Sequence, residues 1–423
     1  MSTSKPSPQV ERILTFDDAY RLVLTHAERL RVLHRESESV PLLNSLGRTL
    51  AEDILADRDF PPFPRATRDG YAVRSQDLQP TSSELEVVGE IRAGGDLPQG
   101  FTRLGVGQAI SIMTGAPVPE GADAVIMVEY SERQRNQVRF SKSVTAGENI
   151  VPRASEAHAV AVLVSRGTVV GSQQIALAAA VGKSSLLVSP RPRVAIVPTG
   201  DEVVAIDAQP AANQIRNSNS FSLAAQVIAA GGEPVQLPIA PDKPEALRQL
   251  IERGLQSDLL LMSGGVSAGE YDLVEGAMTG FSAEFLFTGA QIQPGKPLVF
   301  GRARRPQAAD QFVYFFGLPG NPISTMVTFE LFVRTVVRAL AGAHSERLRT
   351  AKARLIAALK TKTGLTRFLP ARLSGEWNDA QVEPVRWQGS GDIAAFSRAD
   401  CLLVVPPDRE QFEAGEMMAV VLL

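Results

Sequence analysis

The sequence predicts a multidomain α/β plus β protein. A central doubly wound α/β domain is flanked by small β-barrel or sandwich domains and preceded by a mixed N-terminal region. Three observations carry this reading. From Arg193 to about Leu340, apolar strand-like runs alternate with helical patterns, which requires a parallel sheet with helices on both faces. Residues 61–144 and the last 75 or so residues are instead short alternating segments broken by Gly and Pro. The length of 423 residues accommodates two to four domains at about 100–200 residues each.

The elements follow in chain order. Thr15 and Asp18 form a capping-box pattern ahead of Phe16, Ala19, Tyr20, Val23, Ala27 and Leu30 at helical spacing. Short strands are expected over Glu84–Val88, Gln108–Met113, Ala124–Glu129 and Gln137–Phe140, and a helix near Ser172–Val181. In the central region, Arg193–Thr199 reads as a buried strand and Phe221–Ala230 as a helix ended by Gly231-Gly232. Glu233–Leu237 follows as a strand, and Asp242 with Glu245 as the cap of a helix over Lys243–Arg253. Leu259–Met262 and Phe312–Phe316 are further strands, and Asn321-Pro322 starts a long helix to about Leu340.

Composition excludes several function classes. Net charge is −3, from 43 basic and 46 acidic residues, so no overall basic field points to nucleic acid. The single cysteine, Cys401, excludes an intrachain disulfide framework and a cysteine-built zinc site; it sits in an apolar run and reads as core. The four histidines have no short-range metal-ligand spacing, so structural or surface positions are expected for them, and any metal site would be built from oxygens. Met1 to Pro8 lacks an apolar signal core, and no run of about 18 apolar residues exists, so a cytoplasmic, soluble protein is expected.

In an open α/β sheet, ligands bind beyond the carboxyl ends of the strands. Three segments meet that rule: Pro198-Thr199-Gly200-Asp201-Glu202, Met262-Ser263-Gly264-Gly265-Val266-Ser267, and Gly317-Leu318-Pro319-Gly320-Asn321-Pro322. Glycines there let backbone N–H groups approach an anion, and a helix N-terminus adds favourable partial charge, so a phosphate-bearing ligand is expected. The plain alternative is a set of ordinary tight turns; three at the strand ends of one sheet outweigh it. Asp201, Glu202, Asp242 and Asp272 join the same edge, and carboxylates beside phosphates point to Mg²⁺. Each could instead be a helix cap or a solvated charge, Asp242 most of all. Lys296, pinned in Gln293-Pro294-Gly295-Lys296-Pro297, is a candidate oxyanion contact or a plain surface lysine. Taken alone, Asp69 and Thr114 lie in what read as hairpin turns.

Taken together, these segments resemble the molybdopterin molybdenumtransferase family, which includes the E domain of gephyrin. The resemblance runs from about Thr15 to the C-terminus. It rests on Pro62-Phe63-Pro64 leading to Asp69-Gly70-Tyr71-Ala72-Val73-Arg74, on Met113-Thr114-Gly115-Ala116-Pro117-Val118-Pro119, and on Thr199-Gly200-Asp201-Glu202. It continues through Asn217-Ser218-Asn219, Ser263-Gly264-Gly265-Val266-Ser267 with Gly269 and Asp272, Pro294-Gly295-Lys296-Pro297, and Gly317-Leu318-Pro319-Gly320-Asn321-Pro322.

The resemblance implies Mg²⁺-dependent insertion of molybdate into adenylylated molybdopterin, giving molybdenum cofactor and AMP. It implies an elongated homodimer, divided as an N-terminal linker/dimer domain (10–60 and 145–190), a small β domain (61–144), a molybdopterin-binding α/β domain (191–343) and a C-terminal β domain (344–423). Molybdopterin adenylyltransferase and molybdoenzymes or their chaperones are the implied partners. Asp69, Thr114, Glu202, Asp272 and Lys296 are the implied catalytic set, with Asp201, Glu202, Asp242 and Asp272 holding the metal. Substrate contacts are expected from Gly200, Asp201, Asn219, Ser263, Gly264, Gly265, Ser267, Pro294, Gly295, Pro297, Pro319, Gly320, Asn321, Ser390 and Arg372. In the family dimer, Asp69 and Thr114 would reach the partner's pocket. The chain departs from the family at Gln293, where Lys is usual, at Pro370, where Arg is usual and Arg372 lies two residues on, and at Glu156, where Asp is usual. Gln293 and Pro370 keep a second reading open: a divergent, non-catalytic paralogue that binds or carries a pterin nucleotide.

Overall fold

The computed structural model describes residues 12–31, 37–78, 83–264, 276–278, 280–344 and 347–423. The central sheet has six strands in the spatial order Glu233–Gln236, Arg193–Pro198, Leu259–Ser263, Ala308–Leu318, Val299–Arg305, Glu284–Phe287. The first four are parallel, and the last two extend the sheet antiparallel. Alternate residues of each buried strand feed opposite cores, because successive side chains point to opposite faces. Val194, Ile196, Leu259, Leu261, Tyr314 and Phe316 enter one core with helix Asn219–Ala229. Ala195, Val197, Leu260, Met262, Val313 and Phe315 enter the other with helix Pro244–Gly254. That division is what winds the sheet doubly.

The antiparallel pair is absent from the sequence expectations. Glu284–Phe287 and Val299–Arg305 pair through contacts that no local periodicity announces. Gly301 shows how close that packing is: a Cβ there would lie 2.4 Å from the Phe315 ring. The helix from Pro322 to Leu340 forms as expected, with a π-helical turn over Phe329–Val333. The first helix, Phe16–Arg31, buries Ala19, Val23 and Leu30 in the core of the central sheet. His26 lies in that helix, buried, 2.8 Å from the Tyr314 hydroxyl.

Residues 61–144 form a mixed sheet in the order Ala124–Met127, Gly70–Val73, Gln108–Ile112, Glu84–Ile91, Gln137–Phe140, Ser131–Gln134. Two flanking stretches of chain meet around it. Glu38–Pro41 pairs with Ser185–Val188, Ile54–Leu55 with Val162–Val164, and Arg65–Ala66 with Ile150–Val151. In the C-terminal part, Thr366–Glu376, Asp379–Pro384, Thr350–Leu355, Met417–Leu422 and Cys401–Val405 pair in succession, and the last pairs back to the first, closing a five-stranded barrel. Closure leaves no free sheet edge. Ile292–Gln293, which leaves the central domain, adds to this barrel in parallel beside Thr366–Arg367. Cys401 is buried in the barrel core, and burial beside Asp400 pushes its thiol up to about 12, which keeps it protonated and unreactive. Among the described residues, no helix is long and apolar enough to cross a membrane.

Candidate functional site

The three strand-end segments converge. A cleft of about 310 Å³ is lined by Thr199, Gly200 and Glu202 from the first, Ser263 and Gly264 from the second, and Pro319, Gly320, Asn321 and Pro322 from the third. Asn219 and Pro297 also line it. The loops are tied to one another by backbone bonds: Thr199 N–H donates to the Ser263 carbonyl (2.9 Å) and Gly264 N–H to the Leu318 carbonyl (3.1 Å). Gly264 has φ of +93°, and a Cβ there would lie 2.8 Å from the Thr199 carbonyl oxygen, so glycine is required twice over.

Asn219 holds the remaining seam. Its Nδ2 donates to Ser263 Oγ (2.9 Å) and to the Gly320 carbonyl (2.7 Å). A carbonyl cannot donate, so the amide orientation is set by that partner. The Oδ1 of the same amide is buried without a hydrogen-bond partner. The helices beginning at Asn219 and at Pro322 both present their N-termini to the cleft. Two helix N-termini and three loop backbones favour an anion.

The acidic residues divide. Glu202 and Asp242 line the cleft. Asp201 lies beside them: its N–H donates to Asp242 Oδ2 (3.3 Å), and Asp242 N–H donates to Asp201 Oδ1 (3.1 Å). Asp242 is not the helix cap that its pattern with Glu245 predicts. The helix starts at Pro244 with Lys243 at the N-cap, and no side chain caps it, because the Asp242 carboxylate is turned to Asp201. Among the described residues, no three metal-ligating side chains cluster by themselves. Asp272, Gly265, Ser267 and Gly269 lie outside the described residues.

The Pro294-Gly295-Lys296-Pro297 turn runs along the rim. Gly295 has φ of +105°, and a Cβ there would meet Thr328 at 2.4 Å, so the turn sits hard against the helix beginning at Pro322. Lys296 is exposed beside Pro297. Ser390 comes from the barrel, and its carbonyl accepts from Ile323 N–H (3.0 Å) in the first turn of that helix. Arg372 is exposed on a barrel strand and is not part of the cleft lining. Gln293 is exposed next to Arg367, whose guanidinium is buried and donates to the Lys362 and Leu365 carbonyls, so it is spent on backbone.

The sequence reading missed Arg216, a residue of the cleft lining whose Nε donates to the Ala208 carbonyl (3.2 Å) outside that lining. Its position just before Asn217-Ser218-Asn219 was the available signal.

Asp69 and Thr114, 45 residues apart, meet in the β domain. Asp69 Oδ1 accepts from Thr114 N–H (2.6 Å) and from the Thr114 hydroxyl (2.8 Å). These two bonds, the backbone one foremost, hold the Asp69 carboxyl below the usual carboxylate range. Gly70 lets the strands close there, since a Cβ would lie 1.9 Å from the Ile126 carbonyl oxygen.

Three family models match in succession: the MoeA N-terminal region (domains I and II) over residues 14–182, a probable molybdopterin binding domain over 195–339, and the MoeA C-terminal region (domain IV) over 352–423. A molybdopterin molybdenumtransferase from Bacillus subtilis is 32% identical over 397 residues, covering 92% of this chain and 90% of that protein. One from Nostoc sp. is 37% identical over 313 residues, covering 73% and 70%. A crystal structure of a molybdopterin biosynthesis MoeA protein from Pyrococcus horikoshii superposes with a TM-score of 0.75 at 27% identity, covering 97% of this chain and all of that one.

Gly264→Ala is expected to destabilise the chain by about 1–3 kcal/mol and to open the cleft, read as a lower thermal midpoint and loss of phosphate binding. Thr114→Val is expected to raise the Asp69 pKa, measured by NMR titration. Asp69 is depressed when folded, so its link to Thr114 is fully present above the ordinary value of 3.8 and lost as pH falls through the lower folded value.

Proposed function

The chain belongs to the molybdopterin molybdenumtransferase (MoeA) family, and on that premise we propose that its strand-end cleft binds adenylylated molybdopterin while molybdate is inserted and AMP released. The observation that carries this reading is the convergence of three strand-end loops and two helix N-termini on one cleft, with Asn219 tying two of the loops together. A pyrophosphate needs N–H donors and a compensating cation, and the cleft supplies the first from backbone.

The donor set beside it suits a hard cation. Glu202 and Asp242 offer carboxylate oxygens on the cleft wall, with Asp201 adjoining. Mg²⁺ takes one or two carboxylates together with substrate phosphates and keeps several waters, so a cluster of three acids is not needed. Bound there, with Asp272 in the same role, it would neutralise charge on the phosphates. Molybdate is a dianion; Arg216 of the cleft lining and the exposed Lys296, next to the lining residue Pro297, would be its cationic contacts, with Ser390 as a further candidate. The sulfur ligands come from the substrate, which agrees with a chain whose single thiol is buried and protonated. The chain's part is therefore positioning and charge compensation.

We also propose that the chain works as a homodimer, with Asp69 and Thr114 facing the cleft of the partner subunit. Leu43, Leu46 and Val160, in the paired N-terminal segments, are 76%, 59% and 72% exposed. Burying such side chains against a second copy would remove apolar area from water.

The direct test incubates the purified chain with adenylylated molybdopterin, Mg²⁺ and molybdate. AMP release, with cofactor able to reconstitute a molybdoenzyme, is expected, and Glu202→Gln should lower kcat at least about 100-fold without changing the circular dichroism. Tight pterin binding without either product would favour the carrier reading instead. Gln293→Lys should lower KM for molybdate by roughly tenfold through one added charge-assisted bond. Light scattering should give a dimer for the wild type, and Leu43→Asp with Leu46→Asp should give monomers without turnover.

A further inference from the structure

The two helices whose N-termini face the cleft are joined a second time, away from it. Asn219 and Gln226 are seven residues apart on the helix Asn219–Ala229, so they share one face, about 10 Å apart along the axis. Both spend their side-chain N–H groups on the same neighbouring segment. Asn219 bonds the Gly320 carbonyl, just ahead of the helix beginning at Pro322. Gln226 Nε2 donates to the Met326 carbonyl (3.1 Å) and to Glu330 Oε1 (2.7 Å), in the body of that helical run. Glu330 is buried, and Arg334 one turn on grips it, with Nε to Oε2 at 2.5 Å and Nη2 to Oε1 at 3.0 Å. Its Oε1 therefore accepts from both helices. The turn that carries Glu330, Phe329–Val333, is π-helical, and such turns recur at functional sites.

Two acceptors dictate the orientation of the Gln226 amide, and its own Oε1 stays buried with no partner among the described residues. An unpaired buried acceptor lowers stability. The joint is thus more than a way to hold two helices together, since apolar contact among Leu223, Val227, Ile323 and Val327 already does that. Such contact is non-directional and says little about how far one helix slides along the other. A satisfied carboxylate with directed bonds from both sides fixes that register.

We propose that Gln226, Glu330 and Arg334 are positioning residues: acting along the two helices, they set where the N-termini at Asn219 and Pro322 stand in the cleft. This rests on the reading that the cleft binds the phosphates of the substrate, and it adds which remote side chains set the spacing of the two helix starts. The Thr325 hydroxyl carries that placement into the loop, donating from the second helix to the Pro319 carbonyl (2.5 Å). Pro319 lines the cleft.

The test compares the full wild-type chain with Gln226→Met, which removes the joint at similar volume. A second variant, Glu330→Met with Arg334→Met, breaks it from the other helix and strands neither charge. Hydrogen exchange read by mass spectrometry on the ligand-free proteins should speed up at least about threefold over residues 219–226 and 317–326, with the barrel strand Cys401–Val405 unchanged. In turnover with adenylylated molybdopterin, Mg²⁺ and molybdate, KM for the pterin nucleotide should rise about tenfold while kcat stays within about twofold. A merely stabilising role would lower the active fraction, and so the apparent kcat, and leave KM unchanged. Unchanged KM in both variants, or exchange that speeds up equally throughout the chain, would overturn the proposal. If the wild type releases no AMP, the reading of the cleft fails by itself. The exchange at the helix starts then decides the positioning role: local acceleration supports it, and rates equal to wild type overturn it.

Discussion

The cleft depends on one side-chain amide. Asn219 donates to Ser263 Oγ and to the Gly320 carbonyl, and so closes the second and third strand-end loops onto the first turn of a helix. Each bond is worth only about 1 kcal/mol net. Its leverage is geometric. The amide sits where two parallel strands end, and it places two helix N-termini over one volume. Glycine at 264 permits the approach, since its backbone runs against the Thr199 carbonyl where any Cβ would collide.

Around that anchor the electrostatics are mostly backbone. Partial charges at two helix ends and loop amides face the cleft, and the charged residues of its lining are one arginine, Arg216, and two acids, Glu202 and Asp242. Such a site suits a ligand that brings its own countercation, because preorganised dipoles need no reorganisation when charge shifts. Gln293 belongs in this setting. It spends its backbone on pairing with the barrel, and the neighbouring Arg367 is committed to the Lys362 and Leu365 carbonyls.

The barrel is part of the site's construction. Its strand Thr366–Glu376 receives Ile292–Gln293 from the central domain, and its Ser390 carbonyl caps an amide at the head of the helix beginning at Pro322. Both contacts fix the turn at Pro294-Gly295 against that helix, which is why the exposed Lys296 side chain departs from a rigid base. The β domain makes a separate acid. Asp69 owes its low pKa to Thr114 rather than to any cation, so it stays ionised and available across the neutral range.

Much of this was legible in the linear sequence. Strands Arg193–Pro198 and Leu259–Ser263 announce themselves as apolar runs ending in glycine, and the three strand-end segments do line one cleft. Those features live in consecutive residues: a period of burial, a required backbone angle, an apolar stretch. Tertiary structure alone decided the rest. The antiparallel extension by Glu284–Phe287 and Val299–Arg305, the closure of the barrel and the strand Ile292–Gln293 are pairings between distant segments. Asp242 left its expected capping role for Asp201, and Arg216 entered the cleft, because chain reversals brought them there. A hydrogen bond between residues 40 or 100 positions apart leaves no periodicity in either partner's neighbourhood, so only the folded chain reveals it.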